Sequence, residues 1–114
     1  ESILGGARYL RILRDMIPET VPEPDRTWMA LAAYNIGPGG FAAALRLAHR
    51  RDRNPDSWRD VKEVLPRLGR SRQGEALRYA AVRGGEARAF VENVRVYYDI
   101  LRRYEPPYRE GLGF

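Results

Sequence analysis

Apolar residues recur at three- and four-residue intervals along most of the chain, and this spacing predicts helices. The clearest stripe belongs to the last predicted helix, in which the following residues hold helical spacing: Ala87, Phe90, Val91, Val94, Tyr97, Tyr98 and Leu101. We find no alternating apolar pattern beside a hairpin turn and no internal repeat. The pattern predicts an all-α domain of five or six helices, over residues 2–16, 25–36, 41–50, 58–65, 75–81 and 87–103.

Glycine, proline and capping residues predict where these helices begin and end. Asp25 is the predicted N-terminal cap of the second helix, and residues 54–57 predict a turn and a cap before the fourth. Residues 37–40, Gly-Pro-Gly-Gly, are expected to break the chain, because Gly permits positive φ and Pro lacks an N–H. Gly84 and Gly85 are expected to separate the last two helices.

The composition is that of one folded domain. The 114 residues are 44% hydrophobic and 31% charged, which is enough apolar material for a core. We expect the domain to cover residues 1–103, followed by a Pro- and Gly-containing tail at 104–114. No apolar run approaches the roughly 18–20 residues of a membrane helix.

Several kinds of chemistry are excluded by residues that the chain lacks. It has no cysteine, so disulfides, thiol nucleophiles and Cys-based zinc sites are excluded. Its one histidine, His49, precedes two arginines and is predicted to lie at a solvated helix end. We therefore expect neither a metal nor any other cofactor.

The positive charge of the chain has two interpretations. The net charge is +5, and every basic residue except Lys62 is an arginine. Such a charge suits polyanions, including nucleic acid, and it also follows from the arginine usage of a GC-rich genome. The arginines are spread along the chain, which favours the second interpretation. We expect no nucleic-acid partner; a basic nucleic-acid binder would show salt-sensitive DNA binding.

The densest candidate site is the segment at residues 33–39, Ala-Tyr-Asn-Ile-Gly-Pro-Gly. Tyr34 and Asn35 end a predicted helix, and the turn at Gly37 lets a ligand approach the backbone. An asparagine amide both donates and accepts hydrogen bonds, which suits an amide or acetamido ligand. The spacing is equally compatible with a capped helix end that carries an interfacial tyrosine.

Two weaker candidates lie near the C-terminus. The aromatic residues Phe90, Tyr97, Tyr98 and Tyr104 could stack on sugars or bases, but their helical spacing favours a place in the core. Residues 83–86, Arg-Gly-Gly-Glu, could cradle a phosphate. A glycine pair before a helix is weak evidence for such a site.

Five segments, in this order, resemble goose-lysozyme-like lytic transglycosylases. Residues 5–10 and 31–39 resemble the family's Gly-Ala-x-Tyr-Leu and Ala-Leu-Ala-Ala-Tyr-Asn-x-Gly-x-Gly segments. Residues 58–66, 83–87 and 90–101 narrow the resemblance to the C-terminal part of the catalytic domain of membrane-bound members. The resemblance covers about residues 2–101 and implies a lysozyme-like helical lobe.

The activity that the resemblance implies is cleavage of peptidoglycan. Such enzymes break the β-1,4 bond between N-acetylmuramic acid (MurNAc) and N-acetylglucosamine (GlcNAc) without water, leaving a 1,6-anhydro sugar. One glutamic acid protonates the leaving oxygen and then accepts the proton of the C6 hydroxyl, which requires a pKa near the working pH. The resemblance thus implies peptidoglycan strands as the partner.

Carried over to this chain, the family motif makes Tyr34, Asn35 and Gly37 substrate-binding residues. The tyrosine would help to position the acid, and the asparagine would bond the acetamido or lactyl-peptide part of the substrate. Phe90 stands where many relatives have a tyrosine in the cleft, so it would offer stacking without a hydroxyl contact. Residues 67–81 match the family pattern poorly.

The resemblance does not supply a catalytic acid within the chain. The family's catalytic Glu lies in a Glu-Ser motif, and a Gly-Leu-Met-Gln-type loop separates this motif from the Gly-Ala-x-Tyr-Leu block. Glu1 and Ser2 match the motif, but that loop does not follow them. We therefore expect that Glu1 is not the acid and that the catalytic helix lies upstream, in a longer protein.

Three further expectations follow from the resemblance. The longer protein would be periplasmic and associated with the outer membrane. A lobe without its first helices would uncover the apolar sides of the second and last helices, so we expect self-association. The alternative to the enzyme is a non-catalytic peptidoglycan-binding or scaffolding module that keeps half of the cleft.

Overall fold

The computed structural model describes residues 3–68 and 75–104. These residues form α1 (Ile3–Met16), α2 (Asp25–Ile36), α3 (Pro38–Arg50), α4 (Trp58–Val64), a 3₁₀ turn (Leu65–Arg67) and α5 (Glu75–Tyr104). The described residues contain no strand, which confirms the all-α prediction and agrees with a lysozyme-like lobe. Glu1, Ser2, residues 69–74 and all of the predicted tail at 104–114 except Tyr104 lie outside the described residues.

Helix α2 lies at the centre of the fold, with α1 and α5 packed against it. Its small residues Ala30, Ala32 and Ala33 are at most 3% exposed, so the neighbouring helices approach its backbone closely. Helix α5 runs antiparallel to α2, because Arg83 in its first half contacts Asn35 in the last turn of α2, and Tyr98 near its end packs against Trp28 near the start of α2. The end of α2 is therefore bordered by both neighbours.

The core is completed by the short helix α4 and the turn after it. The predicted apolar stripe of Trp58, Val61, Val64 and Leu65 is fully buried, and Trp58 is only 1% exposed. Each side chain of this size contributes on the order of 1.5–3 kcal/mol when it is fully buried. The fourth predicted helix is confirmed, and Pro66 lies in the 3₁₀ turn that ends it.

The predicted break at Gly84 and Gly85 is wrong. Both glycines lie inside α5, which continues for 30 residues and is about 45 Å long. A Cβ atom at Gly84 would lie 1.8 Å from the carbonyl oxygen of Leu65. The glycine therefore permits close packing of α5 on the 3₁₀ turn and does not interrupt the helix.

The break between the second and third helices is shorter than predicted. Only Gly37 departs from helical geometry, with φ at 94°. Helix α3 already begins at Pro38 instead of at the predicted Phe41. Proline is well tolerated at the first position of a helix, because its missing N–H would have no partner within the helix there.

The sequence predicted that Asp25 caps the start of α2, and this prediction is wrong. Pro24 occupies the N-cap position, and the carboxylate of Asp25 accepts a hydrogen bond from the backbone N–H of Trp58 at 2.9 Å. Asp25 thereby caps α4. The start of α2 is capped by Glu23, which accepts hydrogen bonds from the Thr27 backbone N–H at 3.0 Å and hydroxyl at 2.8 Å.

Exposed apolar side chains lie where the sequence did not predict them. Tyr97 and Tyr98 are 66% and 50% exposed, so the core prediction is wrong for both, and the side chain of Tyr104 lies outside the described part. Tyr97 lies about 120° around α5 from the buried Val91. Tyr98 shares the face of Val91, and its ring packs edge-on against that of Trp28 with 6.2 Å between the centroids. The apolar side of α2 is buried. The large exposed aliphatic residues described on α1 and at the end of α5 are Leu4, Ile12, Met16, Val96 and Ile100.

Candidate functional site

The last turn of α2 brings together Tyr34, Asn35 and Gly37, three of the four predicted substrate-binding residues. Their proximity follows from their spacing at the end of one helix. Phe90 lies on α5, where it is half-buried and packs against the hydrophobic core. It shares a face of α5 with Arg83, seven residues earlier, because seven residues complete about two helical turns. A role for Phe90 in substrate binding stays a prediction.

Tyr34 presents a supported aromatic ring to solvent. The side chain is 40% exposed, and its ring packs at 52° against the ring of Tyr9 on α1, with 5.7 Å between the centroids. A Cβ atom at Gly6 would lie 3.0 Å from the Tyr34 hydroxyl, so the glycine leaves room for it. Sequence reasoning missed Gly6 and Tyr9 as site residues, although a three-residue spacing places them on one side of α1.

Asn35 combines a bound backbone with an unbound side chain. Its backbone carbonyl accepts a hydrogen bond from Arg83 Nη2 at 2.6 Å. Its side-chain oxygen Oδ1 is buried and has no hydrogen-bond partner. A buried acceptor in this state costs about 1–3 kcal/mol of stability. A ligand N–H that reached Oδ1 would recover part of that cost.

The turn after Asn35 leaves open space beside the backbone. Gly37 donates its N–H to the Ala33 carbonyl at 2.8 Å, and its own carbonyl accepts from the Phe41 N–H at 3.0 Å. Nothing lies within 4 Å of the place that a Cβ atom would occupy at Gly37. Its φ of 94° favours glycine over any residue with a side chain. A ligand can therefore approach this turn without meeting a side chain.

Arg83 joins this site from a distant part of the sequence. The prediction of a phosphate cradle at residues 83–86 is wrong, because these residues are helical and form no loop. Arg83 instead holds the Asn35 carbonyl with Nη2 and donates from Nη1 to Glu86 Oε2 at 3.0 Å. The two partners, Arg83 and Asn35, are 48 residues apart, and no local sequence signal indicates that they meet.

Two described carboxylates have a pKa below the ordinary value. Partial burial raises the pKa of Glu92, but the hydrogen bond from Lys62 Nζ at 2.8 Å and the charge of Lys62 outweigh it. Partial burial likewise raises the pKa of Glu23, but hydrogen bonds from Thr27 and Arg14 outweigh this effect, so the pKa is lowered. A general acid at neutral pH needs a raised pKa, so neither group suits that role.

Other surface features of the described residues lie outside this turn. His49 is exposed at the end of α3, as predicted. Among residues 3–68 and 75–104, no group of three His, Asp or Glu side chains could hold a metal ion. No helix in this part of the chain is both long and apolar enough to span a bilayer. A cavity of about 320 Å³, lined by Asp99, Arg102 and Arg103, lies toward the far end of α5.

Comparison with known proteins identifies relatives over nearly the whole chain. No protein-family model matches it. Membrane-bound lytic murein transglycosylases F are 56% identical over 108 residues in Thiobacillus denitrificans and 50% identical over 112 residues in Nitrosospira multiformis. The same protein of Methylobacillus flagellatus is 53% identical over 106 residues. The alignments cover 93–98% of this chain, but the chain spans only 22–23% of the length of these relatives.

Proposed function

Because this chain is homologous to the C-terminal region of membrane-bound lytic murein transglycosylases F, we propose that it belongs to a protein that cleaves peptidoglycan. The reaction would break the β-1,4 bond between MurNAc and GlcNAc and form 1,6-anhydro-MurNAc. The chain would contribute one wall of the glycan cleft. Its substrate-binding residues would be Tyr34, Asn35, Gly37 and Phe90.

The observation that carries this proposal is the buried, unpartnered Oδ1 of Asn35. Both sugars of peptidoglycan bear an acetamido N–H, which is the kind of donor that this oxygen lacks. The half-exposed ring of Tyr34 lies next to it, and the open turn at Gly37 gives a sugar access. The three features together fit an acetamido sugar better than a charged ligand.

The catalytic acid is proposed to lie outside the described residues. Glu23 and Glu92 have lowered pKa values, which makes both weak proton donors at neutral pH. Glu1, which the family resemblance sets aside, is not among the described residues. This assignment agrees with the finding that the chain spans only 23% of the length of the Thiobacillus denitrificans relative.

The proposed setting is the periplasm, where peptidoglycan is found. The relatives carry the words membrane-bound in their names, which supports a membrane-associated protein, with the outer membrane as the specific proposal. Self-association is part of the proposal, because Ile12 and Met16 of α1 are 55% and 66% exposed. Light scattering on the purified chain would show a dimer or a larger assembly, and a monomer would contradict this point.

The function is tested by digestion of purified sacculi with the full-length gene product. Mass spectrometry should detect 1,6-anhydro-muropeptides. The Asn35→Ala variant should release them at least tenfold more slowly, because it removes the proposed acceptor for the acetamido group. Asn93→Ala is the matched control, because Asn93 is exposed on α5 away from this turn and should leave the rate unchanged.

The outcomes separate the enzyme from its alternative. Anhydro products that depend on Asn35 support the proposal. Binding of sacculi without any cleavage would favour a non-catalytic peptidoglycan-binding or scaffolding module. Absence of both binding and cleavage would refute the two together.

A further inference from the structure

Arg83 is the basic residue that completes the end of α2. The last turn of α2 contains no Lys, Arg or His of its own. The carbonyl groups at a helix C-terminus lack partners within the helix and carry partial negative charge. Arg83 of α5 supplies a positively charged partner for one of these carbonyls, because its Nη2 donates to the Asn35 carbonyl at 2.6 Å. This short contact is a charge-assisted hydrogen bond.

The close packing at Gly84 places the neighbouring Arg83 level with the Asn35 carbonyl along α2. A Cβ atom at Gly84 would lie 1.8 Å from the Leu65 carbonyl oxygen and 2.6 Å from the Leu65 carbonyl carbon. The backbone of α5 therefore lies directly on the 3₁₀ turn at this residue. Contact with the backbone of Leu65 leaves α5 little freedom to slide, and the neighbouring Arg83 is placed accordingly.

We propose that Arg83 is a positioning residue for the ligand site at Asn35. It binds the backbone of the residue whose side-chain Oδ1 is buried and unpartnered. Rotation of the Asn35 peptide would turn this side chain away from the ligand, and the hydrogen bond from Arg83 opposes that rotation. This inference rests on the proposed function, in which Oδ1 accepts a hydrogen bond from an acetamido group.

The second contact of Arg83 orients its guanidinium group. Nη1 donates to Glu86 Oε2 at 3.0 Å, one helical turn along α5. The planar guanidinium can make both contacts at once, whereas a lysine ammonium is a compact charge on a flexible stem. A lysine at this position would retain the charge beside α2 and lose the fixed orientation. Its effect should therefore lie between that of arginine and that of an uncharged residue.

The test uses the full-length gene product with Arg83→Met and Arg83→Lys, and Arg88→Met as the matched control. Arg88 also lies on α5, its side chain is 38% exposed against 33% for Arg83, and it pairs with Glu63 at 3.7 Å. The measured quantities are the affinity for a chitooligosaccharide, KM and kcat on sacculi, and the melting temperature. The Asn35 side-chain amide is followed by NMR after selective ¹⁵N-asparagine labelling, with Asn35→Ala to identify its signal.

Arg83→Met should weaken glycan affinity and raise KM about tenfold, which is the loss of one charge-assisted hydrogen bond. The value of kcat should change less than KM, because Arg83 orients a binding residue and touches no reacting atom. Arg83→Lys should restore part of the affinity. The Asn35 amide signal should move in Arg83→Met without ligand and stay in place in Arg88→Met.

Three results would overturn the proposal. They are unchanged affinity in Arg83→Met, an equal loss in Arg88→Met, and an Asn35 amide signal that does not move. If the wild type itself binds no glycan, the proposed function fails. The ligand-free amide signal then still decides whether Arg83 positions Asn35. Arg83→Lys provides the comparison if Arg83→Met does not fold.

Discussion

The polar side chains at the two ends of α2 differ in whether they have hydrogen-bond partners. At the first end, Glu23 accepts two hydrogen bonds from Thr27, and Asp25 accepts one from the Trp58 N–H. At the last end, the buried Oδ1 of Asn35 accepts none, and Tyr34 is 40% exposed. The first end joins α2 to α4, whereas the last end has a buried acceptor without a partner and a partly exposed aromatic ring.

This difference shows how one helix can serve the fold and a ligand at once. Polar groups with protein partners contribute to folding, and a buried acceptor without a partner costs stability. The last end tolerates that cost because neighbouring helices hold it from outside. Arg83 of α5 binds the Asn35 carbonyl, and Tyr9 of α1 packs against the Tyr34 ring.

The largest expected effect comes from Gly84→Ala, which would push α5 away from the 3₁₀ turn and disturb the contact of the neighbouring Arg83 with the last end of α2. The added Cβ would meet the backbone of Leu65, which cannot yield as a side chain can. We expect a loss of about 3 kcal/mol or more in the free energy of unfolding, in the upper range for overpacking. Urea denaturation measures this loss.

The neighbouring glycine provides the control for this substitution. Nothing lies within 4 Å of a Cβ atom at Gly85. Gly85→Ala should therefore raise stability by about 0.5–1 kcal/mol, which is the helix-propensity gain of Ala over Gly. Equal effects of the two substitutions would mean that α5 does not rest on Leu65 as described.

The second prediction sets the two ends of α2 against each other. Asp25→Ala should lower the free energy of unfolding by about 1–2 kcal/mol, because the Trp58 N–H loses its acceptor. Asn35→Ala should not lower it and should raise it by about 1 kcal/mol, because the variant removes a buried acceptor that has no partner. Thermal denaturation of both variants measures the difference.

Glycan affinity should show the reverse order in the same two variants. Asn35→Ala should lose affinity for a chitooligosaccharide, and Asp25→Ala should keep it wherever the protein is folded. The comparison between the two ends breaks down if Asn35→Ala is as destabilised as Asp25→Ala and keeps full affinity.

The smallest expected effect is on the pH dependence of stability. The pKa values of Glu23 and Glu92 in the folded state lie below their ordinary value of 4.5. Each carboxylate therefore contributes stability that is fully present above about pH 4.5 and is lost as the pH falls through its lower, folded-state pKa. The contribution should be below about 1 kcal/mol for each group, because both are partly exposed.

The double variant Glu23→Gln/Glu92→Gln should lose less stability than the wild type between pH 5 and acid conditions, measured by urea denaturation across pH. Asn35→Ala should keep the wild-type dependence, because an amide does not titrate in this range. A double variant with the wild-type acid sensitivity would show that these two pairs do not contribute to it.

Local sequence patterns predicted the helices better than their junctions. The apolar stripe of α4, from Trp58 to Leu65, was predicted and is fully buried. Gly84 was predicted to break a helix, but it marks the place where α5 rests on Leu65. Tyr97 was predicted to lie in the core but is 66% exposed. Spacing indicates which residues share a face, and it does not indicate how far a neighbouring element extends along that face.

In the candidate site too, local patterns identified some residues and missed the contact that depends on packing. Tyr34, Asn35 and Gly37 were found from the sequence because they are adjacent and end a helix at a glycine. Arg83 was noticed as part of a phosphate cradle, which does not form, and as part of the segment 83–87 that carries the family resemblance. Its contact with the Asn35 carbonyl spans 48 residues. Only the packing of α5 on α2 could place the two together.

The sequence by itself determined the helical class, the apolar faces and the turn at Gly37, because periodicity and backbone freedom are local properties. The tertiary structure decided the partners of the polar groups. It assigned Asp25 to α4, Arg83 to the end of α2, and no partner to Asn35 Oδ1. Hydrogen bonds and desolvation depend on which helices meet, and that is set only when the whole chain packs.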